Sequence, residues 1–194
     1  GSCFQKDILN LVYLCRHFGL PEVADYWESV VALNTWQQHR IARLVVEKLF
    51  GTVTGKRLAI FGFAFKANTN DTREAPAIRI CRDLLEEGAQ LAIHDPKVAA
   101  HQIARDLQQE AAPQADALSG TGSWAEASSV EDAVKGADAV LVLTEWQEYG
   151  DLNWMALAGQ MRKPAWVFDS RAITDHEQVR AAGLTCWCVG DGEG

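Results

Sequence analysis

No apolar run approaches the roughly 20 residues that cross a bilayer as a helix, and no signal-peptide pattern opens the chain. Positive charge is scarce. Eighteen Lys and Arg stand against 26 Asp and Glu, leaving a net charge of −8. Nonspecific nucleic-acid binding needs a basic surface, so neither nucleic acid nor membrane is an expected partner. No internal repeat and no low-complexity tract is present. There is no Cys-x-x-Cys and no His-Cys cluster. The cysteines, Cys3, Cys15, Cys81, Cys186 and Cys188, are odd in number, and three lie in apolar periodic stretches. That pattern suits reduced, buried thiols in a cytoplasmic protein better than a disulfide framework. Cys186 and Cys188 are two apart in an expected strand and share a face, but without a ligand motif around them no metal is expected. Also missing is Gly-x-Gly-x-x-Gly, the loop that lays a pyrophosphate against bare backbone.

What is there is globular. Hydrophobic residues make up 48% and charged residues 23% of 194 positions, enough for one ordinary domain plus an extra segment. Ile8, Leu11, Val12 and Cys15 recur at helical spacing and predict an amphipathic helix over 6–18, stopped by Gly19 and Pro21. A second helix is expected over 22–50, about 40 Å long if unbroken. Its ends are apolar and its middle, Asn34, Gln37, Gln38, His39 and Arg40, is polar. Such a helix either bridges two bodies or turns its middle to solvent.

The period then changes. Short apolar runs at 57–63, 90–96, 138–144, 165–169 and 185–189 read as strands buried in a parallel sheet. Helices are expected over 76–87, 98–110, 130–135 behind a Ser129 cap, 151–161 behind Asp151, and after Thr174 or Asp175. The stretch 111–123 reads as a mobile surface loop. The fold class is therefore α/β: an N-terminal helical segment with a long linking helix, then a doubly wound, Rossmann-like parallel sheet.

Ligands of open parallel sheets collect at the carboxyl ends of the strands. After the first strand come Phe65, Lys66, Asn68, Asn70, Asp71, Thr72, Arg73 and Glu74. After the third come Thr144, Glu145 and Trp146, and after the fourth Asp169, Ser170 and Arg171. Two guanidiniums, an ammonium and several amides and hydroxyls are chemistry for holding phosphates. The first turn, Gly62-Phe63-Ala64-Phe65-Lys66, is not a dinucleotide loop. Asp95, where such sheets often hold a ribose, reads instead as a turn residue before Pro96. At the other end of the chain, Cys3 precedes the first helix, where the dipole favours a thiolate. Asp7 lies one turn on, on the same side, placed to orient a water. Spacing alone leaves Cys3 open between nucleophile and small hydrophobe.

Gly1-Ser2-Cys3-Phe4-Gln5-Lys6-Asp7, Gly62-Phe63-Ala64-Phe65-Lys66, Asp71-Thr72-Arg73-Glu74, Thr144-Glu145-Trp146 and Phe168-Asp169-Ser170-Arg171 together resemble, in order, signature blocks of the UDP-glucose 6-dehydrogenases of the UDP-glucose/GDP-mannose dehydrogenase family. The family's last block usually has Gly where Ser170 stands. The resemblance implies a C-terminal portion starting at the catalytic-cysteine motif. Residues 1–52 would be a helical linker and dimerisation segment, and 53–194 a UDP-sugar-binding domain. It implies oxidation of UDP-glucose to UDP-glucuronate in two NAD-dependent steps through a Cys3 thiohemiacetal and thioester, with Asp7 orienting the hydrolytic water. Phe65, Lys66 and Arg171 would touch the UDP-sugar. Arg73 would reach NAD held mainly by an absent half, so the chain alone would be inactive; Lys6 has no assigned step. A homo-oligomer through the long helix is implied. A GDP-mannose or UDP-N-acetylmannosamine dehydrogenase is the alternative, against which Gln5 argues because those relatives more often carry Pro there. The remaining alternative is a module for UDP-sugar binding and dimerisation only.

Overall fold

The computed structural model describes residues 2–112 and 122–192. Helix α1 (Ser2–His17) begins four residues earlier than the apolar spacing predicts, so Cys3 lies inside its first turn. Nothing between Ser2 and Lys6 breaks a helix, and the apolar period reports only the buried face. Helix α2 (Pro21–Lys48) is one unbroken element of 28 residues, with Pro21 in its first turn. At 1.5 Å per residue it is about 42 Å long.

The two halves of α2 bury different things. Its N-terminal half packs on α1 around Val12, Cys15, Ala24 and Trp27. Its C-terminal half sends Ile41, Ala42, Val45 and Leu49 into the main core. The polar middle is not simply solvated. His39 Nδ1 lies 2.6 Å from Asp83 Oδ2 on α3 (Pro76–Glu86), tying the long helix to the sheet's covering layer.

The sheet has six parallel strands in the order β3-β2-β1-β4-β5-β6. They are β1 (Arg57–Phe61), β2 (Gln90–His94), β3 (Ser123–Glu126), β4 (Ala139–Val142), β5 (Trp166–Asp169) and β6 (Thr185–Cys188). This is the doubly wound order in which the chain reverses direction between β1 and β4, opening a crevice at their carboxyl ends. Leu58, Ala59, Ile60 and Phe61 are wholly buried, as are Val140, Leu141 and Val142 beside them. Both faces are covered, hence runs without alternation.

Three expectations change. β3 was not among the expected strands; it falls at the end of the stretch read as a loop. Only Trp124 gives it bulk, and it pairs with β2 alone at the sheet edge. The expected mobility over 111–123 lies largely outside the described residues. The helix expected over 151–161 is the shorter α7 (Trp154–Ala158), and a further short helix not expected from the sequence, α6 (Gln147–Gly150), precedes it. The cap is Asn153, whose side chain accepts from the Ala156 amide, and not Asp151. Helix α4 (Ala100–Leu107) is shorter than expected. Helix α5 (Val130–Val134) is capped by Ser129, and α8 (His176–Ala181) by Asp175, which accepts from the amides of Glu177 and Gln178.

Candidate functional site

The crevice at the carboxyl ends of β1, β4 and β5 is built around one carboxylate and one glycine. Asp95, just past β2, does form its own turn: Oδ1 accepts from the amides of Lys97 and Val98. Its Oδ2 reaches further. It accepts from the amides of Phe63 (2.7 Å) and Ala64 (3.0 Å) and from Trp146 Nε1 (3.2 Å). A single side chain therefore fixes the turn after β1 and the segment after β4. It also occupies the amides that a glycine-rich loop would aim at a pyrophosphate. Sequence spacing gave no sign of this second task, since the partners are more than 30 residues away.

Gly62 sits in the left-handed region, φ +92°, against Thr144. A Cβ there would lie 2.3 Å from Thr144 Cβ. The close approach lets the buried Thr144 hydroxyl donate to Ala64 O at 2.6 Å, locking the two loops together.

On this frame the structure brings Phe65, Lys66 and Arg171 to one place. Arg171 Nε donates to Leu143 O (2.7 Å), and its Nη2 lies 3.5 Å from Phe65 O. Glu145 Oε2 is 3.5 Å from Arg171 Nε, while its other oxygen accepts from the Ala67 amide. Arg171 has five N–H donors; three have no acceptor among the described residues. Lys66 is exposed, with Nζ 5.3 Å above the Phe65 ring, and no described carboxylate pairs with it. A half-buried ring, an ammonium and a partly committed guanidinium at a strand-end crevice are chemistry able to take a base and phosphates.

The Arg171 loop is held from beneath by Asp169, which is fully buried. Its Oδ1 accepts from the Arg171 amide; its Oδ2 accepts from the amides of Ile173 and Thr174 and from the Thr174 hydroxyl. Ser170 avoids the left-handed region, which falls to Ala172 (φ 55°), and its hydroxyl donates to Val142 O. The Cβ at 170 is thus tolerated.

Cys3 and Asp7 stand apart from this cluster. Both are exposed on α1, and Asp7 lies 3.9 Å from Lys6 Nζ. Cys3 is near enough to Arg73 to act on it electrostatically. Ser2 and Arg73 line one cavity of about 570 Å³ with Gln38, Arg79, Arg82 and Arg105. Arg73 is itself held by Asp71, whose carboxylate accepts from its Nε and Nη2. This contact keeps the Asp71 carboxyl down at about 2. The backbone joins the two groups, because Asp71 O accepts from the Phe65 amide. No direct contact links Cys3 to Lys66 or Arg171 among the described residues. No helix of the structure is long and apolar enough to cross a membrane.

Residues 59–176 match the UDP binding domain of the UDP-glucose/GDP-mannose dehydrogenase family. Over 98% of its length the chain is 45% identical to the UDP-glucose 6-dehydrogenase of Drosophila melanogaster and 46% identical to that of Caenorhabditis elegans. It spans only about two fifths of those relatives, 40% and 39%. The fold is shared with a UDP-glucose dehydrogenase from the hyperthermophilic archaeon Pyrobaculum islandicum, at TM-score 0.70 and 24% identity over 96% of this chain and 36% of that one. With its doubly wound sheet, its strand-end cations and more than half its length matched, the chain belongs to the UDP-glucose/GDP-mannose dehydrogenase family.

Proposed function

We propose that this chain is the UDP-sugar-binding part of a UDP-glucose 6-dehydrogenase, supplying the nucleophile Cys3 and the nucleotide seat of Phe65, Lys66 and Arg171. The observation that carries this is the convergence of Lys66 and Arg171, with donors to spare, beside the half-buried Phe65 ring. In this reading residues 1–52 form the helical linker and 53–194 the UDP-binding domain.

The substrate's diphosphate meets Lys66 and Arg171, and its distal sugar extends toward α1. Binding far from the reacting carbon holds that carbon in position. NAD, when bound, accepts the hydrides. The residues here fit it only at its margin: Asp95 occupies the amides after β1, so the sheet offers no pyrophosphate loop. Arg73, exposed and aimed by Asp71, is the group that would touch it. Cys3 Sγ attacks the aldehyde produced by the first oxidation and holds it as a thiohemiacetal, so that it neither escapes nor hydrates. After the second oxidation the group is a thioester on Cys3. Asp7 orients the water that opens it and takes its proton.

Two further features belong to the proposal. Tyr13 on α1, Phe18 in the turn after it, and Tyr26, Leu33 and Trp36 on α2 leave large apolar area exposed, which supports a homo-oligomer through the long helix. Five free cysteines, four of them buried, support a reducing, cytoplasmic setting.

Calorimetry with UDP, UDP-glucose and GDP tests the seat. UDP should bind and GDP should bind more weakly; preference for GDP would move the substrate to GDP-mannose. With UDP-glucose and NAD the chain alone should yield no NADH absorbance, because it lacks a dinucleotide loop.

A further inference from the structure

At the corner where β5, β6 and α8 meet, three side chains of different chemistry point at one another. They are the carboxylate of Asp169, the imidazole of His176 and the thiol of Cys188, with ligand atoms all within 4.8 Å of each other. Asp169 and Cys188 are buried. His176 Nε2 is buried too and has no hydrogen-bond partner. Its distance to Asp169 Oδ2 is 3.6 Å, beyond a normal hydrogen bond. Zinc bonds of about 2.0–2.3 Å to O, N and S ligands put neighbouring ligand atoms of a tetrahedron roughly 3.3–3.8 Å apart, within a small side-chain shift of ligand atoms that already lie no more than 4.8 Å apart. The thiol donates one weak hydrogen bond, to Val189 O at 3.5 Å, which loss of its proton to a metal would release. Asp169 Oδ2 already has three donors, whereas Oδ1 has one, the Arg171 amide, and keeps a lone pair.

We propose that Asp169, His176 and Cys188 bind one borderline-soft divalent cation, of which zinc is the best match. One thiolate, one imidazole and one carboxylate form a donor set that hard cations such as magnesium and calcium do not favour. The fourth position is left to water. Binding is a ligand exchange without redox change: the Cys188 S–H bond breaks, its proton leaves to solvent, a metal–sulfur bond forms and the cation sheds water. The ion would staple β5, β6 and the start of α8, and through Asp169 it would brace the loop that presents Arg171. This inference is independent of the UDP reading. It also revises the sequence expectation of no metal, which rested on local motifs. These three ligands come from separate elements, 7 and 12 residues apart in sequence.

The test uses the 194-residue chain, stripped with chelator and titrated with Co(II) as a spectroscopic probe, then with Zn(II). One Co(II) per chain should bind, with tetrahedral visible bands and an intense near-ultraviolet thiolate-to-cobalt band. Zn(II) should displace it and raise the melting temperature. C188S should lose the thiolate band, and H176A should weaken the metal by at least about tenfold. C186S and C3S should change neither, and circular dichroism checks that each variant is folded. The proposal is overturned if the wild-type chain binds no stoichiometric Co(II) at micromolar concentration, or if the thiolate band survives in C188S.

Discussion

At the residue scale, Asp95 does the most with the least sequence warning. Removing its carboxylate strands the amides of Phe63 and Ala64 in a buried turn, and a buried donor without a partner costs about 1–3 kcal/mol. D95A should therefore lose about 2–5 kcal/mol in urea unfolding and weaken UDP binding. D95N keeps one carbonyl oxygen and should lose less. Gly62 is constrained as tightly. G62A combines a left-handed φ with a Cβ 2.3 Å from Thr144, and we expect a loss of about 2–4 kcal/mol from strain and overpacking, read as a lower melting temperature. The Asp71–Arg73 pair makes an acid-side prediction. A carboxyl held at about 2 instead of 3.8 contributes to stability above 3.8 and loses that contribution as pH falls toward 2. An NMR titration should find Asp71 near 2 in the wild-type chain and raised in R73A, though still below 3.8 because the residue-73 amide keeps donating to Oδ1; an unchanged value in R73A would show that the guanidinium is not the cause.

Among the elements, α2 shows how one helix serves two bodies. Its C-terminal half is core, its middle is pinned by His39 to Asp83, and its N-terminal half carries α1 out from the sheet. That arm buries only a small cluster and exposes Tyr26, Leu33 and Trp36, which are 65%, 63% and 48% accessible. So much apolar area on an arm with little core is what the proposed homo-oligomer would cover. If the partner is a second copy, L33E/W36E should convert a dimer into a monomer in light scattering, with little change in the melting temperature of the monomeric unit. A wild-type chain that is already monomeric at micromolar concentration would sink this reading. The short elements β3, α6 and α7 teach the opposite lesson. β3 holds through pairing with β2 and α7 through the Asn153 cap, contacts too remote or too local for a periodicity to reveal.

On the scale of the whole molecule, the net charge of −8 makes the local cations matter more. An anionic ligand approaches an acidic protein only where Lys and Arg converge. R171A should weaken UDP roughly ten- to a hundredfold, the equivalent of one charged hydrogen-bonded contact of about 1.5–3 kcal/mol, with the fold unchanged by circular dichroism. The sequence alone determined the class of fold, because buried parallel strands write themselves as unbroken apolar runs and helices as a 3.6 period. It also placed Phe65, Arg73 and Arg171 in the loops just past strands, since the ends of the apolar runs mark those loops out, whereas their proposed roles and that of Cys3 rest on the family resemblance. Tertiary structure alone decided what holds the site: Asp95 beneath the first turn, Thr144 against Gly62, and Asp169 facing His176 and Cys188. Those contacts join residues distant along the chain, and side-chain geometry between elements leaves no period in a sequence.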